Sequence, residues 1–173
     1  MATRSRSILV SILFIVFGGP GPLLVYVPYA ITRFRIPQDQ PLWQTLSADS
    51  LIFIGLIPLF DSIWRFIDAG GGTLVPTVPT ERLVVSGLYR YVRNPMYVGV
   101  LTALAGEAVL FWNRGVVIEG AICWLAIELF VRFYEEPTLA RQFPKDYARY
   151  RQHVHRWLPR LTPWRDSESE SKK

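Results

Sequence analysis

The sequence predicts an all-α fold: a polytopic membrane bundle of about four transmembrane helices, followed by an amphipathic C-terminal helix on the cytoplasmic side. Three observations carry this expectation. Half of the 173 residues are hydrophobic, several apolar runs approach the 20 residues that a helical span requires, and the basic residues sit mainly at one end of the chain. Of 19 Lys and Arg against 14 Asp and Glu, the stretch from Pro137 to Lys173 holds nine of the former and four of the latter. That stretch carries the whole net charge of +5, which points to an anionic lipid surface. Nucleic-acid binding, the rival reading of a basic tail, has no place beside four apolar runs. The length allows one domain, taken as residues 1–165, with 166–173 as a disordered tail. Cys123, alone of its type, and two histidines, His153 and His155, exclude a disulfide framework. They also leave too few soft ligands for a zinc site, so no metal is expected.

The first apolar stretch, Ile8 to Ile31, is long enough to span, but Gly18-Gly19-Pro20-Gly21-Pro22 must break or kink it. A cleaved signal peptide is the alternative, yet apolar sequence resumes at Leu23 without a clean small-x-small site. Thr32 to Ser50 reads as a polar loop with Pro37 and Pro41 as breakers. A second span follows from Leu51 to about Ile67, with Asp61 and Arg65 at the i,i+4 spacing of a helical ion pair. Gly70-Gly71-Gly72, Pro76 and Pro79 then mark a flexible connection.

The third span, Pro95 to Trp112, and the fourth, Val116 to Tyr134, are separated by Asn113-Arg114-Gly115. So short a turn forces them antiparallel and into contact. A cytoplasmic N-terminus puts sixteen basic residues inside and Arg33, Arg35 and Arg114 outside. That bias sets the orientation, with both termini cytoplasmic. Beyond Pro137, Leu139, Phe143, Tyr147, Tyr150, Val154 and Trp157 form a helical apolar stripe, broken or capped at Pro144. It should lie on the bilayer or fold over the cytoplasmic mouth of the bundle.

Two constellations could carry chemistry. At Asn94-Pro95 a good N-cap and a first-turn proline start the third span. Arg90 and Arg93 just before it make a ready site for a carboxylate or phosphate; the plain alternative is a set of positive-inside anchors. At the end of the fourth span stand Glu135 and Glu136, at the same depth because the hairpin is antiparallel. A ligand bearing both a carboxylate and an ammonium or sulfonium would suit such facing charges, whereas Glu128, Arg132 and Glu136 could equally form a surface ladder. Within the spans, Glu107 and Glu128 should face the interior, Glu119 is close enough to the outer turn to be solvated, and Gly99 and Gly106 read as small-residue packing.

Gly87-Leu-Tyr-Arg-Tyr-Val-Arg-Asn-Pro-Met-Tyr-Val-Gly99, then Glu135-Glu136-Pro137 and the run to Tyr150, then His155-Arg-Trp-Leu-Pro-Arg-Leu161, resemble the isoprenylcysteine carboxyl methyltransferase and phospholipid methyltransferase superfamily. Asn94 departs from the pattern, standing where that family usually has His. The resemblance implies a multi-span enzyme using S-adenosylmethionine as cofactor. By position it places Tyr91, Arg93, Asn94, Pro95, Tyr97 and Gly99 on one side of the cofactor pocket and Glu135 and Glu136 on the other. Tyr147, Tyr150 and Arg156 would belong to the cover. Arg90, Arg93 and Glu136 are the candidate catalytic residues: the arginines would hold a carboxylate acceptor, and a glutamate would take the proton of an amine. The expected reaction is methyl transfer to a lipophilic or prenylated substrate, first a carboxyl of an isoprenylcysteine-like group, in a bacterial inner membrane. The alternatives are a phospholipid amine N-methyltransferase, a membrane reductase of the sterol-reductase type using NADPH, and a non-catalytic lipid-binding scaffold.

Overall fold

The computed structural model describes Leu13 and residues 16–165, apart from 69–82; for 66–68 it describes the backbone alone. The connection through Gly70-Gly71-Gly72 and the tail from 166 therefore lie outside the described residues. Every regular element among the described residues is helical. A π-helical turn, Pro22–Tyr26, runs without a break into α1 (Val27–Thr32), and Gly18 and Gly19 form the expected interruption before it. There follow α2 (Leu42–Asp68), a 3-10 turn (Gly87–Arg90), α3 (Pro95–Phe111) and α4 (Arg114–Phe130). A second π turn (Val131–Glu135) continues α4 into α5 (Glu136–Gln142), and α6 (Pro144–His153) ends the helical part.

Leu42–Arg65 is the one described helix long and apolar enough to cross a membrane by itself; Pro22–Thr32 and Pro95–Phe111 are shorter apolar helices. Four spans are thus more than helix length alone supports. The apolar surface does fit a bilayer. Phe53, Phe60, Trp64, Ile122 and Phe133 are all more than 60% exposed, a distribution that would be an aggregation hazard in water.

Helix α2 starts nine residues earlier than the polar composition of 32–50 implies. The polar side chains there are not loop formers. Gln44 is buried and donates to the Val109 carbonyl at 2.9 Å, and Gln40 donates to that of Leu110. These are carbonyls of the last turn of α3, which have no partner within their own helix. The beginning of α2 caps the end of α3.

The two helices pack through small residues. A Cβ on Gly55 would lie 2.6 Å from the Ala103 nitrogen and the Gly99 oxygen, and one on Gly106 would meet Ile52 and the Ala48 carbonyl. The backbones touch, and α3 is held chiefly by α2 rather than by its hairpin partner α4. The hairpin itself forms as its sequence predicts. Trp112 adopts the left-handed conformation at the end of α3, and the Asn113 side chain accepts from the Gly115 N–H at 2.7 Å to cap α4.

At the other end of α2, Asp61 pairs with Arg65 at 2.8 Å and accepts from the Leu88 N–H at 3.3 Å. Gly87, at φ +54°, lies against the Arg65 guanidinium where any side chain would collide. The 3-10 turn leading into α3 is thereby pinned to α2. The C-terminal stripe is broken at Phe143-Pro144 as expected, but the helix stops at His153, so Trp157 lies in an irregular segment instead of on the stripe.

Gly55→Val should lower the melting temperature of the detergent-purified protein by the equivalent of about 2 kcal/mol or more, because backbone atoms cannot yield to the new methyls. Gly120→Ala, with nothing within 4 Å of the added Cβ, should be neutral or stabilising by up to about 1 kcal/mol. Equal effects of the two changes would contradict the close α2–α3 contact.

Candidate functional site

The residues before α3, the end of α4 and the C-terminal segment converge at the Asn94 end of the bundle. Glu136 is the centre. It is 9% exposed, and Arg156 grips it with two bonds, Nε to Oε1 at 2.8 Å and Nη2 to Oε2 at 2.7 Å. Arg93 approaches the same carboxylate at 3.1 Å. A buried carboxylate between two guanidiniums is stabilised as an anion, and this fork geometry is the strongest that Arg offers. Arg156 also reaches Glu128 at 3.1 Å, and the other Glu128 oxygen accepts from the Trp157 indole at 2.7 Å. The hydrogen bonds to Glu136 hold the Arg156 guanidinium above its ordinary range.

A π turn lies between Glu128 and Glu136. A regular helix would stack Glu128, Arg132 and Glu136 on one face. The Glu128–Arg132 half of that ladder forms at 3.8 Å, and across the Val131–Glu135 turn Arg156 bridges Glu128 and Glu136, which therefore share one side. The same turn brings Glu135 to the Tyr97 hydroxyl, which donates to its Oε2 at 3.1 Å. Glu135 lies just past the apolar stretch of α4. Burial, partly offset by the Tyr97 bond and reinforced by the Glu136 charge, pushes its carboxyl from 4.5 up to about 7.

The cover is built from α6 and the residues after it. Tyr147, Tyr150 and Val154 turn inward against Leu83, Val85, Phe143 and Trp164. The amphipathic stripe therefore folds over the bundle. The Tyr150 hydroxyl donates to the Tyr89 carbonyl at 2.6 Å, and the Arg93 guanidinium is 3.5 Å from the Tyr147 hydroxyl. Burial, with the Glu136 charge adding to it, raises the Tyr147 phenol to about 12, so the hydroxyl stays neutral. The returning segment is stitched to the start of α3 by backbone bonds from Arg93 to His155, Arg160 to Tyr91 and Trp164 to Arg90.

Several sequence expectations change here. Asn94 occupies the N-cap position but makes no capping bond through its side chain; its amide donates to the Arg156 carbonyl at 3.2 Å. Arg90 does not flank an open helix end, since its Nε donates to the Trp164 carbonyl at 2.7 Å. Gly99 sits at the α2 crossing, and Pro95 is a buried first-turn residue. Tyr91 contributes its backbone to the cover. Glu119 is not solvated but buried, with both carboxyl oxygens unpartnered. The bonds that Arg156 and Trp157 make to residues of the α4 rod have no signal in the sequence, because neither periodicity nor local spacing links the two regions.

The arrangement suits a small zwitterion. The Arg93 Nε is buried without a partner, and Tyr97 and Tyr147 present hydroxyls near the buried Glu136 and the half-buried Glu135. A donor set of this kind can take a carboxylate at Arg93 and an ammonium at Glu135.

Because the Glu135 carboxyl is raised to about 7, it is protonated in the folded and the unfolded chain alike below pH 4.5, and its burial then costs nothing extra. Between about pH 4.5 and 7 the unfolded chain alone ionises, so stability should fall through that window, by about 1.4 kcal/mol for each pH unit that separates the two titrations. Glu135→Gln should flatten that part of the melting-temperature profile; an unchanged slope would contradict the burial of Glu135.

Residues 43–146 match the phospholipid methyltransferase family. No curated protein and no solved structure matches the chain. The matched range covers more than half of the sequence and includes most of α2, the hairpin and both acidic site residues, so the chain belongs to the phospholipid methyltransferase family, a family of membrane methyltransferases.

Proposed function

We propose that the protein transfers a methyl group from S-adenosylmethionine to a lipophilic acceptor at the Asn94 end of the bundle. Four spans, with both termini in the cytoplasm, would place this end at the cytoplasmic face, as the distribution of Lys and Arg favours. The observation that carries the reading is the pair of Glu136, buried, and Glu135, half-buried beside it, answered by Arg93, Arg156 and Tyr97.

When bound, S-adenosylmethionine supplies an electrophilic methyl on a sulfonium. The residues of the chain bind, align and exclude water. Arg93 would hold the cofactor carboxylate through its spare Nε, Glu135 would face the acceptor, and the Tyr147–Tyr150 cover closes the site from solvent. In-line displacement then needs little beyond alignment and a nucleophile in its reactive state.

The nature of the acceptor turns on which charges remain available. A carboxylate acceptor of the isoprenylcysteine type needs a cation to hold it, and Arg93, Arg156 and Arg90 are engaged with Glu136 and the Trp164 carbonyl. An amine acceptor needs a base, and a carboxyl titrating near 7 takes the proton of an ammonium and frees its lone pair. Glu135 thus favours N-methylation of a phospholipid amine over carboxyl O-methylation, with O-methylation as the second reading.

Protein reconstituted with phosphatidylethanolamine and methyl-labelled S-adenosylmethionine should yield labelled lipid, and Glu135→Gln should lower the rate by about 10²-fold, the usual loss on removing a general base. Label appearing instead as a base-labile ester on a prenylated cysteine analogue would establish the second reading. No transfer to either acceptor would defeat the proposal.

A further inference from the structure

Away from the methyl-transfer site, α4 and the segment from Leu23 to Ile31 enclose a groove of about 590 Å³. Its walls are apolar, formed by Leu23, Val27 and Ile31 on one side and Ile118, Ile122 and Phe130 on the other. Ile118 and Ile122 are largely exposed, so the groove opens sideways toward lipid. One ionisable carboxyl lies in its lining. Glu119 is 8% exposed, and neither of its oxygens has a partner. Glu107, on the facing helix, leaves its own Oε2 unpartnered, as Gln40 does its Oε1 near the same end of the bundle. All four orphaned oxygens are acceptors.

A carboxylate in apolar surroundings with no donor is costly, and either a proton or a donor carrying positive charge relieves that cost. A hydrated cation would have to cross an apolar mouth to reach it. An ammonium attached to an alkyl chain would not, because burial of the chain in the groove offsets the cost of entry. From Gly115 to Phe130 the lining follows α4 for about 22 Å at 1.5 Å per residue, room for an extended chain. We propose that this groove is a second ligand site, for a single-chain amphiphile with a protonated amine head, its ammonium on Glu119 and its chain along α4 toward Phe130. Glu119 lies sixteen residues before Glu135 on the same helical rod, so this site is separate from the methyl-transfer site and does not depend on that assignment.

Cys123, the single cysteine of the chain, lines the groove one turn from Glu119 but is 6% exposed, so occupancy is read from thermal stability and not from its modification. The melting temperature of the full-length protein in nanodiscs should be measured with dodecylamine or dodecanol added, protection being the rise it shows. Dodecylamine should protect at a concentration roughly tenfold lower than dodecanol, as expected for a charge-assisted hydrogen bond. Glu119→Gln should abolish that preference while leaving the weaker protection by dodecanol. Ile122→Trp, which fills the groove from an exposed position, should remove the effect of both probes. Equal protection of the wild type by amine and alcohol, no protection by either, or an amine preference that survives Glu119→Gln would each overturn the proposal. The wild-type comparison decides even if a variant fails to fold.

Discussion

A buried carboxylate must be neutralised where it stands, and Glu136 meets that demand with two arginines from different parts of the chain. Arg93 arrives from the start of α3 and Arg156 from the segment beyond α6. Removing either would leave charge uncompensated in a site with little solvent, a situation usually costing several kcal/mol. The junction therefore fixes three things together: the depth of α3 relative to α4, the direction of the π turn, and the closed position of the cover. The backbone bonds from Arg93, Arg160 and Trp164 to the facing stretch of chain follow once Arg156 is seated.

The rest of the bundle supplies a rigid base for that junction. Gly55 and Gly99 let α2 and α3 meet backbone to backbone, and Asp61 and Arg65 clamp the 3-10 turn that leads to Arg93. At the opposite end, Gln40 and Gln44 close the last turn of α3. Helix α3 is thus held at both ends by α2, while α4 is freer to present one face to the site and another to the apolar groove.

Much of this is legible in the sequence wherever local chemistry dictates it. Pro95 starts a helix, Asn113 and Gly115 make a tight turn, and Pro144 interrupts the amphipathic stripe, each for reasons contained within a few residues. The clustering of Arg93 with Glu135 and Glu136 follows from the antiparallel hairpin alone. What composition could not reveal depends on distant partners. Gln40 and Gln44 look like loop residues until the α3 carbonyls they satisfy are known. Arg156 looks like one more basic residue of a tail until the two carboxylates it bridges, Glu128 and Glu136, are known. Glu119 lies only a turn and a half from a hairpin and reads as solvated, yet the first apolar segment covers it.

If the protein works as proposed, the Arg93–Glu136–Arg156 junction is a ligand-binding centre as well as a structural one. That dual role is tested most directly by calorimetric titration of S-adenosylmethionine into the purified protein and into Glu136→Gln, with melting curves of both in the absence of ligand. The wild type should show saturable binding, weakened at least about tenfold in the variant, consistent with loss of a charged hydrogen-bonding partner. A wild type that shows no saturable binding, or a variant that melts lower but binds with unchanged affinity, would mean that Glu136 serves the fold alone.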